Sequence, residues 1–181
     1  MPDFDMAKAI WRGLFRDASG DRPEALAAIY DAASAKLYGL ALWLTQSAED
    51  ASDVVSEVFV TIAEQHTKLR EIRDPRSWLL TVTRRKAVDL HRQRVRHRED
   101  PIEAAELLAA SDTSPERRID ASRISALLTR VPDRQREAVF LRHFADLSFS
   151  EIGRVTGVSV FTAASRYRLA IRRLRILLEE Q

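Results

Sequence analysis

Apolar residues recur every three or four positions along much of this chain, which is the spacing that places side chains on one face of an α-helix. The spacing is kept over residues 24–46 and again over residues 50–65. A third helix is predicted from Trp78 to about Arg94. No segment keeps the alternation of apolar and polar residues that is typical of a half-buried strand. The pattern therefore predicts an all-α fold.

The helix predicted at 50–65 separates its apolar and acidic residues onto two faces. Asp53, Glu57 and Glu64 are expected to point outward. The inward residues are expected to be Val54, Val55, Val58, Phe59 and Ile62. An apolar face of this width needs a partner, so the helix is predicted to pack on the others as part of a core.

Proline and clusters of polar residues divide the chain into segments. Residues 70–76 are predicted to form a loop, because the residue before Pro75 avoids helical geometry. Residues 99–115 are rich in acids and contain Asp100-Pro101 and Ser114-Pro115, which is typical of a linker. The predicted organisation is an amphipathic N-terminal extension over 1–23 that packs on the first unit, a first helical unit over 24–98, an acidic linker over 99–115 and a second helical unit over 116–181.

The net charge of +2 conceals two strongly basic stretches. Seven basic residues and one acid fall between Arg84 and Arg98, and five basic residues and no acid fall between Arg166 and Arg175. Of the 29 basic residues, 25 are arginines, whose planar guanidinium makes bidentate contacts to phosphate and guanine. Two separate stretches predict two contacts with a polyanion. The alternative is a pair of helix faces that are simply solvated.

The second unit carries the pattern of a helix-turn-helix. Ser148 and Glu151 have the spacing of a capping box, and the short helix that follows ends at Gly157. Ser159 can cap another helix that runs to about Leu178. The outward face of that helix is predicted to carry small polar residues and arginines, which suit the major groove of DNA. An ordinary helical hairpin with a basic surface is the alternative.

Composition argues against several other classes of protein. The chain has no cysteine, and its four histidines show no metal-ligand spacing. Its five glycines form no phosphate-binding loop. We therefore expect no enzyme, no cofactor and no metal. The apolar stretch from Leu37 to Leu44 is too short to span a membrane, and the N-terminus lacks a secretory signal, so a cytoplasmic protein with no membrane insertion is expected.

Several segments, in their order and spacing, resemble the extracytoplasmic-function type of sigma factor in the sigma-70 family. The resemblance covers the chain from about Ala25 to Arg175. The helix from Asp50 to Val60 resembles the family's polymerase-binding helix, and Trp78 to Arg84 followed by Asp89 and Arg92 resembles its promoter-melting helix. In the second unit, the segments that match the family's entry helix and helix-turn-helix are Val131 to Glu137, Leu141-Arg142, Glu151-Ile152-Gly153, Thr162 and Ser165-Arg166.

The resemblance implies a two-domain protein that directs core RNA polymerase to promoters, with no catalytic residue. The first domain would be a sigma-2-like helical bundle and the second a sigma-4-like helix-turn-helix. The implied partners are core RNA polymerase, promoter DNA and an anti-sigma factor. Residues implied to bind core polymerase are Asp50, Asp53, Glu57 and Phe59. Residues implied to bind and melt the −10 element are Arg73, Arg84, Arg85, Lys86, Arg92 and Arg94. Residues implied to bind the −35 element are Ser159, Thr162, Ser165, Arg166, Arg168 and Arg172, with Arg166 the first choice for base readout.

The chain departs from the family pattern at several of these positions. Arg85 stands where the family usually has Asn, and Leu169 stands where it usually has Arg. Ala163 replaces a larger aliphatic residue, and Ser52 and Ser56 replace Glu and Gln. Two alternatives therefore stay open. The protein could be a sigma mimic that titrates an anti-sigma factor, or a helix-turn-helix regulator that binds DNA without polymerase.

Overall fold

The computed structural model describes Phe4 and residues 8–20, 22–97 and 130–179. The helices in these residues are α1 (Lys8–Ser19), α2 (Pro23–Thr45), α3 (Ala48–Glu64), a 3-10 helix (His66–Glu71), α4 (Pro75–His97), α5 (Asp133–His143), α6 (Phe149–Thr156) and α7 (Val160–Glu179). No strand occurs in this part of the chain, and the all-α prediction is confirmed. The predicted acidic linker at 99–115 lies outside the described residues. The first compact unit is built on α1 to α4 and the second on α5 to α7.

The core of the first unit lies between α2, α3 and α4. Leu37, Leu40 and Ala41 of α2 are fully buried, and α3 packs along this helix. On α3 the inward residues predicted from the apolar spacing are buried, except that Phe59 is only half-buried. Ala87 of α4 completes the cluster formed by Ala41, Ala51 and Val54. Small residues at this contact let the helix backbones approach closely.

The N-terminal helix α1 is part of the same core. Trp11 and Phe15 are buried, and the indole Nε1 of Trp11 donates a hydrogen bond to the Phe4 carbonyl oxygen at 3.1 Å. Edge-to-face ring contacts join Phe4 to Trp11, Trp11 to Phe15, and Phe15 to Trp78 of α4. The helix also packs on α2 and on the 3-10 helix. The expectation that this segment packs on the first unit is confirmed.

The start of α4 differs from the prediction. The helix begins at Pro75, three residues before Trp78, and the first residues of the predicted loop belong to the 3-10 helix. Proline is tolerated at the first helical position, where its missing N–H would have no partner within the helix. Asp74 caps the helix, because its Oδ1 accepts a hydrogen bond from the backbone N–H of Ser77 at 3.2 Å. The proline that suggested a loop is therefore a helix start.

The second unit contains the predicted helix-turn-helix. Ser148 and Glu151 form both hydrogen bonds of the capping box at the start of α6, and Gly157 ends the helix with a φ of 71°. The backbone N–H of Val158 donates to the Gly153 carbonyl oxygen at 2.9 Å, which closes the turn. Beneath the motif, α5 packs on α7 through a cluster that contains Val131, Val139, Ala170 and Leu177.

Two charged residues of α5 are buried beside this cluster. Arg136 and Glu137 are each less than 10% exposed. Burial lowers the pKa of Arg136 from its usual value, and the neighbouring Asp133 carboxylate opposes this effect. The Arg136 Nη2 donates to Asp133 Oδ1 at 2.8 Å, so the guanidinium keeps a charged partner at the first turn of the helix.

Candidate functional site

The outward face of α3 presents carboxylates beside apolar side chains. Asp53 and Glu57 are exposed, as predicted, and Val60 follows on the same face three residues later. The half-buried ring of Phe59 lies 4.8 Å from the ring of Tyr30 on α2, centroid to centroid. Tyr30 and Val60 are 50% and 54% exposed. We call these five residues the α3 surface; it combines charge with exposed apolar area, as a protein-binding surface does.

Sequence reasoning did not find two members of the α3 surface. Tyr30 fits the three-and-four spacing of apolar residues along α2, yet half of it is exposed. Val60 is apolar but lies seven residues after Asp53, which places it on the outward face. The spacing from Asp53 could have revealed Val60. Nothing in the sequence indicates that Tyr30 meets Phe59, because the two rings come from different helices.

Asp50, which the resemblance implies is a polymerase contact, does not lie on the α3 surface. Asp50 is 2% exposed. It precedes the buried Val54 and Val58 at intervals of four residues, and it therefore shares their inward face. Its backbone N–H donates to the Ser47 hydroxyl at 3.3 Å, which caps the start of α3. Its acidic character suggested a surface position, whereas its register on the helix places it inside.

Arg85 and Lys86 of α4 line a groove against α3. The groove has a volume of ≈ 590 Å³, and Trp78 forms part of its wall. Lys86 Nζ forms an ion pair with Glu57 Oε2 at 3.1 Å. The structure therefore joins a residue predicted to bind polymerase with one predicted to bind the −10 element. Trp78 itself is half-buried, with its ring against Phe15.

The remaining basic residues predicted for the −10 element fall into two places. Arg84, Arg92 and Arg94 lie along α4 with Arg85, and all four are exposed or half-buried. Arg73 instead lines a separate groove of ≈ 740 Å³. Arg73 does not line the groove between α4 and α3.

The groove beside Arg73 contains arginines that the sequence did not single out. Arg12 and Arg16 of α1 face Arg70 and Arg73 across it, and all four side chains are exposed. Arg12 Nε donates to the Arg73 carbonyl oxygen at 2.9 Å, which ties the loop to α1. The spacing of four between Arg12 and Arg16 places both on one face, but only the fold brings that face to the loop.

The N-terminus of α7 is organised by two hydroxyls. Ser159 Oγ accepts a hydrogen bond from the Thr162 N–H at 3.1 Å and lies 2.9 Å from Thr162 Oγ1. Ser159, Thr162, Arg168 and Arg172 are exposed, as their predicted role requires. Ser165 and Arg166 are half-buried. Two exposed hydroxyls at the N-terminus of a helix can contact phosphate or base edges.

The exposed face of α7 is centred on one line of residues that includes an aromatic side chain. At about 100° of rotation per residue, Phe161, Ser165, Arg168 and Arg172 form one line along the helix. This line lies opposite the fully buried Ala163 and Ala170. Arg166 lies roughly 130° around the helix from this line, nearer to Ala163 and Ala170, consistent with its partial burial. Phe161 was not among the predicted site residues.

Other kinds of site were sought in the same part of the chain. Among the described residues, no group of three or more His, Cys, Asp or Glu side chains is placed to hold a metal ion. No helix within those residues is both long and apolar enough to cross a membrane.

Comparison with known families decides between the possible classes. The model of the Sigma-70 region 2 family matches residues 29–97, and that of the Sigma-70, region 4 family matches residues 121–174. The chain belongs to the sigma-70 family of sigma factors. Region 2 thus takes in most of α2 with α3 and α4, and region 4 takes in α5, α6 and most of α7. The first helix, α1, lies before the matched residues of this sigma factor.

Relatives of this sigma factor match over much of the chain. The extracytoplasmic-function sigma factor SigK of Mycobacterium tuberculosis (strain H37Rv) is 27% identical over 172 residues, which cover 92% of each chain. The ferric citrate uptake sigma factor FecI of Escherichia coli is 35% identical over 136 residues, 68% of this chain and 78% of FecI. The solved structure of the sigma factor RpoE of Bartonella quintana, determined with the anti-sigma factor NepR, is 23% identical with a TM-score of 0.70. It covers 81% of this chain and 91% of RpoE.

Proposed function

We propose that this protein is an alternative sigma factor of the extracytoplasmic-function type, which binds core RNA polymerase and directs it to a specific set of promoters. The observation that carries the proposal is the match to both sigma-70 regions, in order, on one chain. The exposed acidic and basic surfaces described above would supply the contacts that this activity needs. The activity requires no catalytic group, no metal and no cofactor, and its place of action is the cytoplasm, where the polymerase works.

The α3 surface is the proposed contact with core polymerase. Exposed Asp53 and Glu57 would meet a basic partner and set the register and rate of association. Phe59, Val60 and Tyr30 would supply the apolar centre, where aromatic residues carry much of the binding energy. Ser52 and Ser56 replace larger polar residues of the family pattern, so the apolar side chains carry a larger share here.

The basic residues of α4 are the proposed contact with the −10 element. Single-stranded DNA is held by a cationic surface with side chains on which bases can stack. Arg84, Arg85, Arg92 and Arg94 provide the charge along one helix. Arg73 would add a second contact from its own groove, together with Arg12, Arg16 and Arg70. The Arg12 hydrogen bond to the Arg73 backbone supports this contact, because it holds the loop in place.

The exposed face of α7 is the proposed contact with the −35 element. A recognition helix enters the major groove with its N-terminal residues towards the bases. Ser159 and Thr162 lie at that end, while Arg168 and Arg172 follow along the exposed line and suit phosphate contacts. Arg166 is half-buried on the flank of α7, away from this line, and remains the proposed base-reading arginine.

An anti-sigma factor is the proposed regulator. The RpoE structure contains an anti-sigma factor, and a second solved neighbour, CnrH, was determined with the cytosolic domain of CnrY. A regulator of this kind would act by covering the surfaces that polymerase and DNA require. An exposed acidic-apolar surface on one unit and an exposed basic face on the other offer it two places to bind.

The test is gel filtration of the purified full chain with core RNA polymerase, with and without the housekeeping sigma factor as competitor. We expect co-elution that the competitor displaces, followed by transcription from a promoter selected with the reconstituted holoenzyme. DNA binding without co-elution would favour the polymerase-independent regulator. A folded chain that binds neither polymerase nor DNA would favour the mimic that titrates an anti-sigma factor.

A matched pair of charge reversals locates the polymerase contact. Asp53→Lys is expected to weaken binding to core polymerase by about tenfold or more, because a like charge opposes a basic partner. Glu24→Lys makes the same charge change at an exposed position of α2 outside the α3 surface and is expected to retain binding. If the two variants bind core polymerase with equal affinity, the contact does not lie on the α3 surface. That result would leave the sigma-factor proposal intact.

A further inference from the structure

Phe161 is far more exposed to solvent than the other six phenylalanines of this protein. All seven phenylalanines fall within the described residues. Phe4, Phe15 and Phe140 are buried, Phe59 and Phe149 are half-buried, and Phe144 is 45% exposed with its ring stacked on Phe140. Phe161 is 81% exposed, and its ring has no aromatic neighbour among the described residues. The second unit therefore folds without using this side chain.

The position of Phe161 is as informative as its exposure. It is the second residue of α7, between Ser159 and Thr162, whose hydroxyls organise the helix N-terminus. It lies on the line of Ser165, Arg168 and Arg172, opposite the buried Ala163. In a helix that enters the major groove, this end and this face approach the base edges.

The chemistry of the ring restricts what it can recognise on DNA. A phenyl group neither donates nor accepts a conventional hydrogen bond and carries no charge for a phosphate. The apolar group in the major groove is the C5-methyl of thymine, and phenylalanine is one of the side chains that contact it. Burying the ring against a methyl group also removes apolar surface that the free protein leaves in water.

We propose that Phe161 packs on the C5-methyl group of a thymine in the −35 element, so that promoter choice by this sigma factor includes recognition of that methyl. The inference rests on the proposed function, because it needs α7 to enter the major groove. Its neighbours have other tasks: the hydroxyls of Ser159 and Thr162 and the guanidinium groups of Arg168 and Arg172 contact hydrogen-bonding groups and phosphates. Phe161 therefore adds apolar readout to a face that is otherwise polar.

A protein partner is the main competing explanation for an exposed aromatic ring. Only Val160, at 44% exposure, lies beside Phe161 in sequence as a second exposed apolar residue, and the next position on the helix is the hydroxyl of Thr162. Two side chains make a much smaller apolar area than a stable protein interface buries. The hydroxyl and guanidinium groups around the ring match a nucleic acid surface better.

The experiment exploits the difference between thymine and uracil, which is the methyl group alone. Duplexes that bind the reconstituted holoenzyme are first selected from a random pool placed upstream of a fixed −10 element. Each thymine of the selected −35 element is then replaced singly by deoxyuridine, and binding is measured for the wild type and for Phe161→Ala. At one position we expect the change from thymine to uracil to weaken wild-type binding about fourfold, as the loss of one buried methyl group predicts. At the same position, Phe161→Ala is expected to bind the thymine and uracil duplexes equally well.

Leu178→Ala is the matched control, because Leu178 is an exposed apolar residue near the other end of α7. It is expected to keep the wild-type response to uracil. Phe161→Leu keeps an apolar side chain and is expected to restore part of the response. Helix content and binding to core polymerase should be unchanged in all three variants, since each position is exposed.

The outcomes separate this inference from the proposed function. If uracil weakens the wild type and Phe161→Ala equally at every position, Phe161 does not read a methyl and the inference fails alone. If Phe161→Ala loses binding to core polymerase, the ring contacts protein and the inference also fails. If no −35 sequence is enriched although the holoenzyme forms, the proposed −35 role of α7 fails and the inference fails with it.

Discussion

At the residue scale, the helix-turn-helix depends on two glycines for different reasons. Gly157 has a φ of 71°, a left-handed conformation that side chains with a Cβ rarely adopt. Gly153 has ordinary helical geometry, but a Cβ added there would lie 2.7 Å from the Val158 carbonyl oxygen. The turn after α6 brings the backbone of Val158 close to Gly153. Any side chain at position 153 would have to displace backbone atoms.

Gly153→Ala is therefore expected to destabilise the second unit by about 1–3 kcal/mol, as overpacking usually does. Gly13→Ala is the matched control, because Gly13 is also inside a helix but an added Cβ would meet no atom within 4 Å. That change is expected to stabilise α1 by up to about 1 kcal/mol, since alanine favours the helix. Urea denaturation of the full chain compares them, and equal effects would contradict the close approach.

At the element scale, α1 contributes to the stability of the first unit. Trp11 and Phe15 of this helix are buried, and ring contacts that start at Phe4 continue through them to Trp78 on α4. The Trp11 indole also has its polar atom paired, which burial of that group requires. Because α1 packs on the 3-10 helix, it supports the loop that carries Arg73.

Trp11→Ala is expected to destabilise the first unit by about 3–5 kcal/mol, the usual range for a buried tryptophan. Ile10→Ala, at a half-exposed position next to it, is expected to cost less than about 1 kcal/mol. Thermal unfolding followed by circular dichroism measures both. Similar melting temperatures for the two variants would show that α1 is not part of the core.

The contact between α3 and α4 includes the ion pair of Glu57 with Lys86. Glu57 is 64% exposed and Lys86 27%, so solvent screens the pair and its contribution should be small. A double-mutant cycle with Glu57→Gln and Lys86→Met is expected to give a coupling free energy below about 1 kcal/mol that falls as salt is added. A larger coupling that salt does not change would mean that the pair is buried in solution.

At the scale of the whole molecule, two basic surfaces are carried by two separate units. Arg84, Arg85 and Arg92 of α4 belong to the first unit, and the arginines of α7 belong to the second. Each phosphate contact releases counterions from DNA, so affinity falls with salt in proportion to the number of contacts. Both surfaces should therefore contribute to the salt dependence if both bind one promoter.

Binding of the holoenzyme to a selected promoter is expected to weaken steeply between low and physiological salt. Removing two arginines at once, by Arg84→Ala with Arg85→Ala or by Arg168→Ala with Arg172→Ala, is expected to lower the slope of log affinity against log salt by about 2. Arg134→Ala changes an exposed arginine of α5 outside both surfaces and should leave the slope unchanged. If one of the double substitutions leaves the slope of log affinity against log salt unchanged, the surface that carries those arginines does not contact DNA.

The candidate site was predictable where a residue's position follows from helix register alone. Asp53 and Glu57 lie outward at the spacing the sequence predicts, and the arginines along α4 lie on one helix. Asp50 is buried because it shares the register of Val54 and Val58, although an acidic residue is typical of a surface position. Arg12 was overlooked because its contact with the Arg73 backbone joins residues 61 positions apart.

The sequence by itself determined the helices, the capping box, the glycine that ends α6 and membership of a known family. These features depend on interactions between residues close together in the chain, or on patterns shared with relatives. Only the tertiary structure decided that Trp11 is core and that Tyr30 is a surface partner of Phe59. It alone left Phe161 exposed on the outer line of α7. Burial depends on which helix faces meet, and that is a property of packing between segments distant in sequence.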